Sequence, residues 1–261
     1  MNSISANLNV MIKASEKASK ILIRDFGEVE KLQVSVKGPS DFVSSADTKA
    51  EKIIIEELSK ARKNFSIISE ESGSISKKDK NNVWIIDPID GTTNFLHGVP
   101  HFAISIALKS NNEIISGLIY DPIKDEMFYA EKNIGAFLNN KRIRVSKRKK
   151  INECLIAGSG NDINIINEKI KGKVTIRNSG SAALDMAYVA NGRYDAYFQT
   201  KLSLWDVAAG IIILKEAGGY INDIDLNKHN NVNIFASNSS IDDKLGKSLS
   251  LIHISEPTRP Y

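Results

Sequence analysis

The stretch VWIIDPIDGTTNFLHG, residues 83–98, constrains this chain more than any other. Its first four residues are apolar and predict a buried strand, which turn-forming residues end at Asp87. Because Pro88 fixes its own φ and donates no hydrogen bond, Asp87 and Asp90 can lie on one side of a tight turn, with the carbonyl of Ile89 between them. Three hard oxygen ligands are therefore expected to converge at the end of a rigid strand.

The residues after this turn predict a place for an anion. Gly91 lets the backbone approach a ligand closely, and Thr92-Thr93-Asn94 predicts a helical turn with free N–H groups. Carboxylates beside an anion require a cation between them, and Mg²⁺ is expected because it prefers oxygen ligands together with a substrate phosphate. The D-P-x-D-G pattern is also typical of a plain surface turn, so the rest of the chain must decide.

Length and composition exclude several classes of protein. The 261 residues suffice for one large domain or two packed ones. No segment has the apolar length of a membrane span and the N-terminus has no signal-peptide core, so we expect a cytoplasmic protein with no membrane contact. A single cysteine, Cys154, excludes an internal disulfide framework and a cysteine-based zinc site.

The net charge is +4, and the densest basic run is Lys141 to Lys150. One interpretation of this run is a surface for nucleic acid or an acidic partner. The other is a solvated strand edge followed by a lysine-rich connector, which we favour because no aromatic residue interrupts the run.

Apolar periodicity predicts an N-terminal half of helices packed on a sheet. One helix is expected from Ile4 to Phe26, ended by Gly27, and a second from a cap at Asp47 to about Arg62, with a short strand at residues 32–36 between them. Further strands are predicted at residues 102–108, 113–120 and 126–130. Since short turns join these last three, their sheet should be antiparallel.

From about Cys154 strands and helices alternate, one of the helices being expected at residues 163–170, and this pattern predicts α/β layering. We therefore expect an α+β half, residues 1–147, carrying most metal ligands, and an α/β half, residues 148–248. Residues 249–261, LSLIHISEPTRPY, follow neither period and resemble the translation of a sequencing adapter. We leave this tail out of the reasoning on fold and function.

Two further acidic clusters lie at the ends of predicted elements. Glu70-Glu71 follows the apolar strand at residues 65–69, and Asp206 precedes the apolar helix at residues 207–217. Taken alone, Glu70 and Glu71 are typical of solvent-facing acids in a loop. Asp206 alone is typical of a helix cap. Carboxylates that gather in one place repel each other unless cations neutralise them. Together the three clusters favour a site for two or more Mg²⁺ ions that activate water and orient a phosphate.

Four segments closely resemble the inositol monophosphatase family. They are Glu70-Glu71-Ser72, WIIDPIDGTTNFLHGVPHFAISIAL, GSAALDMAYVANGRYDAYF from Gly180, and LWDVAAGIIILKEAGG from Leu204. The match runs in order from about Lys37 to Gly219. The resemblance implies a five-layer αβαβα sandwich, homodimeric in many relatives, that hydrolyses phosphate monoesters with Mg²⁺ and is inhibited by lithium.

By motif position, the resemblance implies a role for each site residue. The ligands of two or three Mg²⁺ ions would be Glu70, Asp87, Asp90, Asp206 and the carbonyl of Ile89. Glu70 and Thr92 would position the attacking water, with Asp47 as the partner of the Thr92 hydroxyl, and no phosphoenzyme is expected. Contacts to the substrate would come from Asp90, Gly91, Thr92, Ala182, Gln199 and Asp206.

Gln199 departs from the family, since many inositol-hydrolysing relatives carry Glu at this position. Gln keeps an acceptor and adds donors, but it loses a charge-assisted bond to a hydroxyl. The chemistry is expected to survive while the substrate stays open. Inositol monophosphate leads, and fructose 1,6-bisphosphate, a nucleotide 3′-phosphate or NADP are the alternatives.

A role of another class also stays open. The chain can instead be a regulatory protein associated with RNA or ribosome biogenesis, working through the basic run at residues 141–150. Association with nucleic acid or a transcription complex has no direct support in the sequence beyond that run.

Overall fold

Two mixed sheets, with helices between them and outside the first, make up the protein. The computed structural model describes residues 4–32, 39–160, 162–164, 168 and 174–241. The described helices are α1 (Ala6–Leu32), α2 (Pro39–Ala61), α3 (Thr92–Leu96), α4 (Ala182–Ala190) and α5 (Leu204–Glu216), with a short 3₁₀ turn at Ile151–Glu153. None of these helices is long and apolar enough to cross a membrane.

The first sheet has eight strands and follows the order β2-β1-β3-β4-β5-β6-β7-β8. Its strands are β1 (Phe65–Ser69), β2 (Gly73–Ile75), β3 (Asp79–Asp90), β4 (Ala103–Ser110), β5 (Glu113–Asp121), β6 (Glu126–Glu131), β7 (Gly135–Leu138) and β8 (Lys141–Arg142). Every pair is antiparallel except β1 with β3. The antiparallel pairing predicted for β4, β5 and β6 is confirmed.

The second sheet has five strands in the order β10-β9-β11-β13-β12. Its strands are β9 (Leu155–Gly158), β10 (Thr175–Arg177), β11 (Ala196–Leu202), β12 (Tyr220–Ile221) and β13 (Val232–Ser237). Strands β10, β9 and β11 run parallel, whereas β13 is antiparallel to both β11 and β12. The predicted change to α/β layering after Cys154 is therefore confirmed.

Successive residues of the central strand β3 face opposite layers, as the two-residue period of a strand requires. Trp84 and Ile86 pack in a cluster with residues of α1 and α2, whereas Ile85 packs in a second cluster with residues of α4, α5 and the second sheet. This second cluster is the middle of the sandwich. The layers therefore run from α1 and α2 to the first sheet, then to α4 and α5, and then to the second sheet.

The second sheet also has an outer apolar face, which includes Ile156, Phe198 and Phe235. The fifth layer that the family resemblance implies is expected on this face. The helix predicted at residues 163–170 lies for the most part outside the described residues, and the tail at 249–261 lies wholly outside them. The α/β class and the sandwich architecture are confirmed.

Two predicted helix boundaries are wrong. Helix α1 does not end at Gly27 but continues to Leu32, because a single glycine costs a helix only about 1 kcal/mol and Val29 beyond it is buried. Helix α2 begins at Pro39, a residue that suits the first turn of a helix, so Asp47 lies inside the helix and is not its cap. Of the strand predicted at 32–36, Leu32 is helical and the rest lies outside the described residues.

Gly117 of β5 packs directly against α5. A Cβ atom there would lie 2.6 Å from Cγ2 of Ile212 and 2.7 Å from the carbonyl oxygen of Ala209. We therefore expect Gly117→Ala to lower the free energy of unfolding by about 1–3 kcal/mol, since an added methyl group overpacks this contact. Chemical denaturation measures the change.

The matched control is Gly27→Ala in α1, where an added Cβ has no neighbour within 4 Å. This variant should be neutral or more stable by up to about 1 kcal/mol, because alanine is the better helix former. Equal effects of the two substitutions would contradict the packing described for Gly117.

Candidate active site

A bulge near the end of β3 places the first two carboxylates. Strand β3 pairs with β4 at Asp87 opposite Ser105 and again at Asp90 opposite Ala103, with a shift of register between these pairs. The sequence pattern predicted that the strand ends at Asp87. The strand instead continues to Asp90. Pro88 lies in the shifted segment and has no N–H to lose from the ladder, which is why the sheet tolerates a bulge here.

Asp206 joins this pair from the start of α5. Carboxylate oxygens of Asp87, Asp90 and Asp206 all lie within 4.8 Å of one another. Ser203 is the cap of α5, and its N–H donates to Oδ2 of Asp206 at 2.7 Å in a capping box. Asp206 is thus held rigidly by the helix end and still reaches the cluster.

The N-terminus of α4 holds Asp90. Its carboxylate accepts hydrogen bonds from the N–H groups of Ala182 at 3.2 Å and Ala183 at 2.9 Å, and from the hydroxyl of Ser181. Burial raises the pKa of Asp90, while these three hydrogen bonds favour the charged form and limit the pKa to about 6. Asp90 therefore belongs to the acidic cluster and also links β3 to the N-terminus of α4.

Glu70 lies in the loop between β1 and β2, and a buried residue of α2 fixes that loop. Glu51 is only 2% exposed. It accepts a hydrogen bond from the N–H of Glu71 at 3.0 Å and two more from the hydroxyls of Ser69 and Ser72. The sequence analysis missed Glu51, although an acid four residues after Asp47 on the apolar face of a helix was a signal.

Glu70 and Asp87 share a side-chain hydrogen bond, and burial raises the pKa of both. Two carboxylates can share such a bond only when one of them holds a proton. Burial, then the charges of Asp90, Glu70 and Asp206, keeps the pKa of Asp87 well above its usual value. Burial and Asp90 raise the pKa of Asp206 to about 7.

Thr92 and Asp47 are arranged differently from what the resemblance implies. The Thr92 hydroxyl donates to the carbonyl oxygen of Ile89 at 3.0 Å, and the N–H of Ile89 donates to Oδ1 of Asp87 at 3.0 Å. Asp47 is 3% exposed, and its Oδ1 has no hydrogen-bond partner among the described residues. Burial, then the charges of Glu71, Glu70 and Glu51, raises its pKa to about 8.

One cavity of about 520 Å³ brings the predicted site residues together. It is lined by Glu70, Asp87, Ile89, Asp90, Gly91, Thr92, Ala182, Gln199 and Asp206, whereas Asp47 is not part of its lining. Asn94, Ser159, Asn178, Ser179 and Gly180 also line it, and the sequence analysis missed them as site residues. Nδ2 of Asn94 donates to the carbonyls of His101 and Ser179 at 2.7 and 2.8 Å, which joins α3 to the loop before α4.

The donors present fit a hard divalent cation. The ligand atoms are all carboxylate oxygens, and burial and mutual repulsion raise the pKa values of these carboxyl groups. A positive charge at the cluster would relieve each of these costs. The acidic cluster can therefore hold a metal ion.

A second cleft, of about 640 Å³, has a different character. It lies between the end of α2 and the start of β3 and is lined mainly by basic and amide side chains. Its one acid, Asp79, already accepts hydrogen bonds from Asn81 and Asn82. This cleft therefore lacks the set of carboxylates that the cavity at the end of β3 contains.

Comparison with known proteins shows which family this chain resembles. A model of the inositol monophosphatase family matches residues 5–253. An inositol-1-monophosphatase from Mesorhizobium japonicum is 50% identical over 230 residues, covering 85% of this chain and 86% of that protein. A Nus factor SuhB from Xylella fastidiosa is 40% identical over 225 residues, covering 83% and 81%. The crystal structure of the extragenic suppressor protein suhB from Bartonella henselae superposes with a TM-score of 0.84 at 46% identity, covering 94% of this chain and all of that one.

The raised pKa values predict how stability depends on pH in the absence of metal. Asp206 and Asp47 have folded pKa values of about 7 and about 8, against 3.8 for the ordinary side chain. Between about pH 4 and pH 7 to 8, the folded chain therefore binds more protons than the unfolded chain does. The resulting contribution to stability is complete below about pH 4 and is lost as the pH rises through 7 and 8.

We therefore expect the free energy of unfolding in EDTA to fall between pH 5 and pH 8, and divalent cations to reverse the fall. Denaturant titrations at each pH measure it. Asp206→Asn should show a smaller fall, whereas Asp223→Asn, at an exposed position, should behave as the parent protein does. An identical fall in the free energy of unfolding of Asp206→Asn would contradict the raised pKa of Asp206.

Proposed function

Because the chain belongs to the inositol monophosphatase family and is a phosphoric monoester hydrolase, we propose that it hydrolyses a small phosphate monoester with Mg²⁺. The leading substrate is myo-inositol monophosphate. The observation that carries the proposal is the convergence of Asp87, Asp90 and Asp206 within 4.8 Å in a cavity that also contains the start of α3. Carboxylates there can bind a cation, and the backbone N–H groups at the start of α3 can bind an anion.

Two or three Mg²⁺ ions are part of the proposal. Their proposed ligands are Glu70, Asp87, Asp90, Asp206 and the carbonyl of Ile89. When bound, such ions supply a Lewis acid that lowers the pKa of a water molecule and neutralises charge on the phosphate. All of these residues line the same cavity.

The proposed nucleophile is water, oriented by Thr92 and Glu70. The Thr92 hydroxyl donates its proton in a hydrogen bond to the Ile89 carbonyl. The lone pairs of its oxygen can therefore accept a hydrogen bond from the water. Glu70, once it is free of its bond to Asp87, accepts the proton that the water loses on attack. If the Ile89 carbonyl turns to a cation, the unpaired Oδ1 of Asp47 is the acceptor that we propose for the Thr92 hydroxyl.

The phosphate and the leaving group occupy opposite parts of the cavity in this proposal. Backbone N–H groups of Gly91 and Thr92, at the first turn of α3, have no helical acceptor and would bind the phosphate oxygens. Asp90, Ala182, Gln199 and Asp206 would contact the alcohol that leaves. Fructose 1,6-bisphosphate, a nucleotide 3′-phosphate and NADP remain the alternative substrates, and the homodimer and lithium inhibition remain predictions.

The direct test is phosphate release from inositol 1-phosphate and the competing phosphates, with Mg²⁺ and with EDTA. We expect release only with Mg²⁺, and a fall of at least about 100-fold in kcat for Asp87→Asn and Asp206→Asn, because each change removes a charged ligand. Asp223→Asn, exposed and outside the cavity lining, should keep the parent rate. Unchanged rates in the two site variants, from folded protein, would refute the mechanism.

The relatives named Nus factor SuhB favour a second function, association with an RNA-containing complex. The surface that we propose for it is the basic run between the two sheets, where Lys147 and Lys149 are exposed. Arg148 and Lys150 in the same run already pair with Asp195 and Glu153. Free lysines on a connector would bind phosphates without reading a base sequence.

We expect the double variant Lys147→Gln, Lys149→Gln to weaken RNA binding and to make it less dependent on salt, because fewer counterions are released. Hydrolysis should not change. Fluorescence anisotropy at several salt concentrations measures the binding, and Lys215→Gln combined with Lys228→Gln provides a charge-matched control. RNA binding that is equal in both pairs would contradict this surface.

A further inference from the structure

The pair Tyr197 and Gln199 determines which end of an amide group faces the substrate cavity. Both residues lie on β11 two positions apart, so their side chains share one face of the second sheet. Tyr197 is fully buried, whereas Gln199 is partly exposed and lines the cavity. The Tyr197 hydroxyl donates to Oε1 of Gln199 at 2.7 Å.

The buried phenol fixes the orientation of this amide. A phenol in the protein interior needs an acceptor for its proton, and Oε1 of Gln199 is the one that the structure gives it among the described residues. If the amide were turned over, its N–H₂ group would face the hydroxyl, and the phenol proton would have no acceptor. Burial and the nearby carboxylates raise the pKa of Tyr197 well above its usual value, so the hydroxyl keeps its proton and acts as the donor.

The backbone on the C-terminal side of Gln199 is fixed as well. The N–H and the hydroxyl of Thr200 donate to the buried carboxylate of Asp162 at 2.9 and 3.0 Å. The register of β11 against β13 shifts between Gln199 and Leu202. The strand therefore has an irregularity directly after Gln199 and resumes its pairing at Leu202, so contacts on both sides of Gln199 set the position of this side chain before any ligand binds.

We infer that Gln199 presents its amide N–H₂ group to the substrate, and that it selects a phosphate monoester carrying a hydrogen-bond acceptor, including a second phosphate, at the carbon that faces it. This inference deepens the proposed function and rests on it. A glutamate at this position would offer only acceptor oxygens and a negative charge, which repel a second phosphate. The amide instead donates to one.

The experiment compares inositol 1-phosphate with inositol 1,4-bisphosphate and inositol 1,3-bisphosphate, so that the second phosphate is placed at two ring positions. Both kcat/KM and the calorimetric binding constant are measured with Mg²⁺. The decisive quantity is the value for the better bisphosphate divided by the value for the monophosphate, taken for kcat/KM and for the binding constant. In Gln199→Glu we expect this ratio to fall by at least about tenfold, because the donor is lost and a like charge is gained. Asn227→Asp, which adds the same charge at an exposed position outside the cavity lining, should leave the ratio unchanged.

Tyr197→Phe tests the role of the phenol. Without the hydroxyl the amide is free to turn its oxygen to the substrate, so the ratio should fall part of the way towards that of Gln199→Glu. A purely structural effect of Tyr197→Phe would lower both rates together and leave the ratio unchanged, which would overturn the role assigned to Tyr197.

The outcome for Gln199→Glu decides the inference itself. An unchanged ratio, in turnover and in binding, would overturn it. Binding with the expected ratio but without turnover of any substrate would contradict the proposed hydrolysis and support the inference about Gln199.

Discussion

The repulsion among carboxylates that are buried together is the constraint on which the rest of this structure depends. Asp87, Asp90 and Asp206 approach within 4.8 Å, and Glu70 shares a hydrogen bond with one of them. In a medium of low polarity, each charge that is removed from water raises the cost of the next. A chain can maintain such a cluster only if rigid elements hold each carboxylate and other groups compensate its charge.

Asp90, Asp206 and the loop of Glu70 each have their own support, and these supports come from the two helix layers on either side of the first sheet. The N-terminus of α4 holds Asp90, and the capping box of α5 holds Asp206. Glu51, from the opposite helix layer, fixes the loop of Glu70. Since α4 and α5 pack between the two sheets, close packing at residues such as Gly117 also sets the distances within the site.

The parts of the site that depend on short segments could be predicted from the sequence. The acids at the ends of β1 and β3 and at the start of α5 follow from local apolar runs and turn residues, and they do surround one cavity. Contacts between distant residues were not predictable. Glu51 reaches a loop about twenty positions away, Ser181 reaches Asp90, and the bulge at Pro88 depends on pairing with β4. Local signals also misplaced the end of α1 and the start of α2, because burial of the helix face outweighs one glycine.

The same carboxylates link stability to function. A protein that holds several buried acids with raised pKa values is less stable as these acids ionise, and any cation that binds only the folded cluster restores stability by mass action. The raised pKa values of Asp47, Glu70 and Asp87 are signs of this state. Tyr197, buried beneath the cavity, shows the opposite solution, since its proton is satisfied by Gln199 without any ion. The carboxylates that need a cation therefore lie at the end of β3, at the start of α5 and in the loop after β1, whereas the pair that is complete without one lies on β11, where the leaving group is expected to bind.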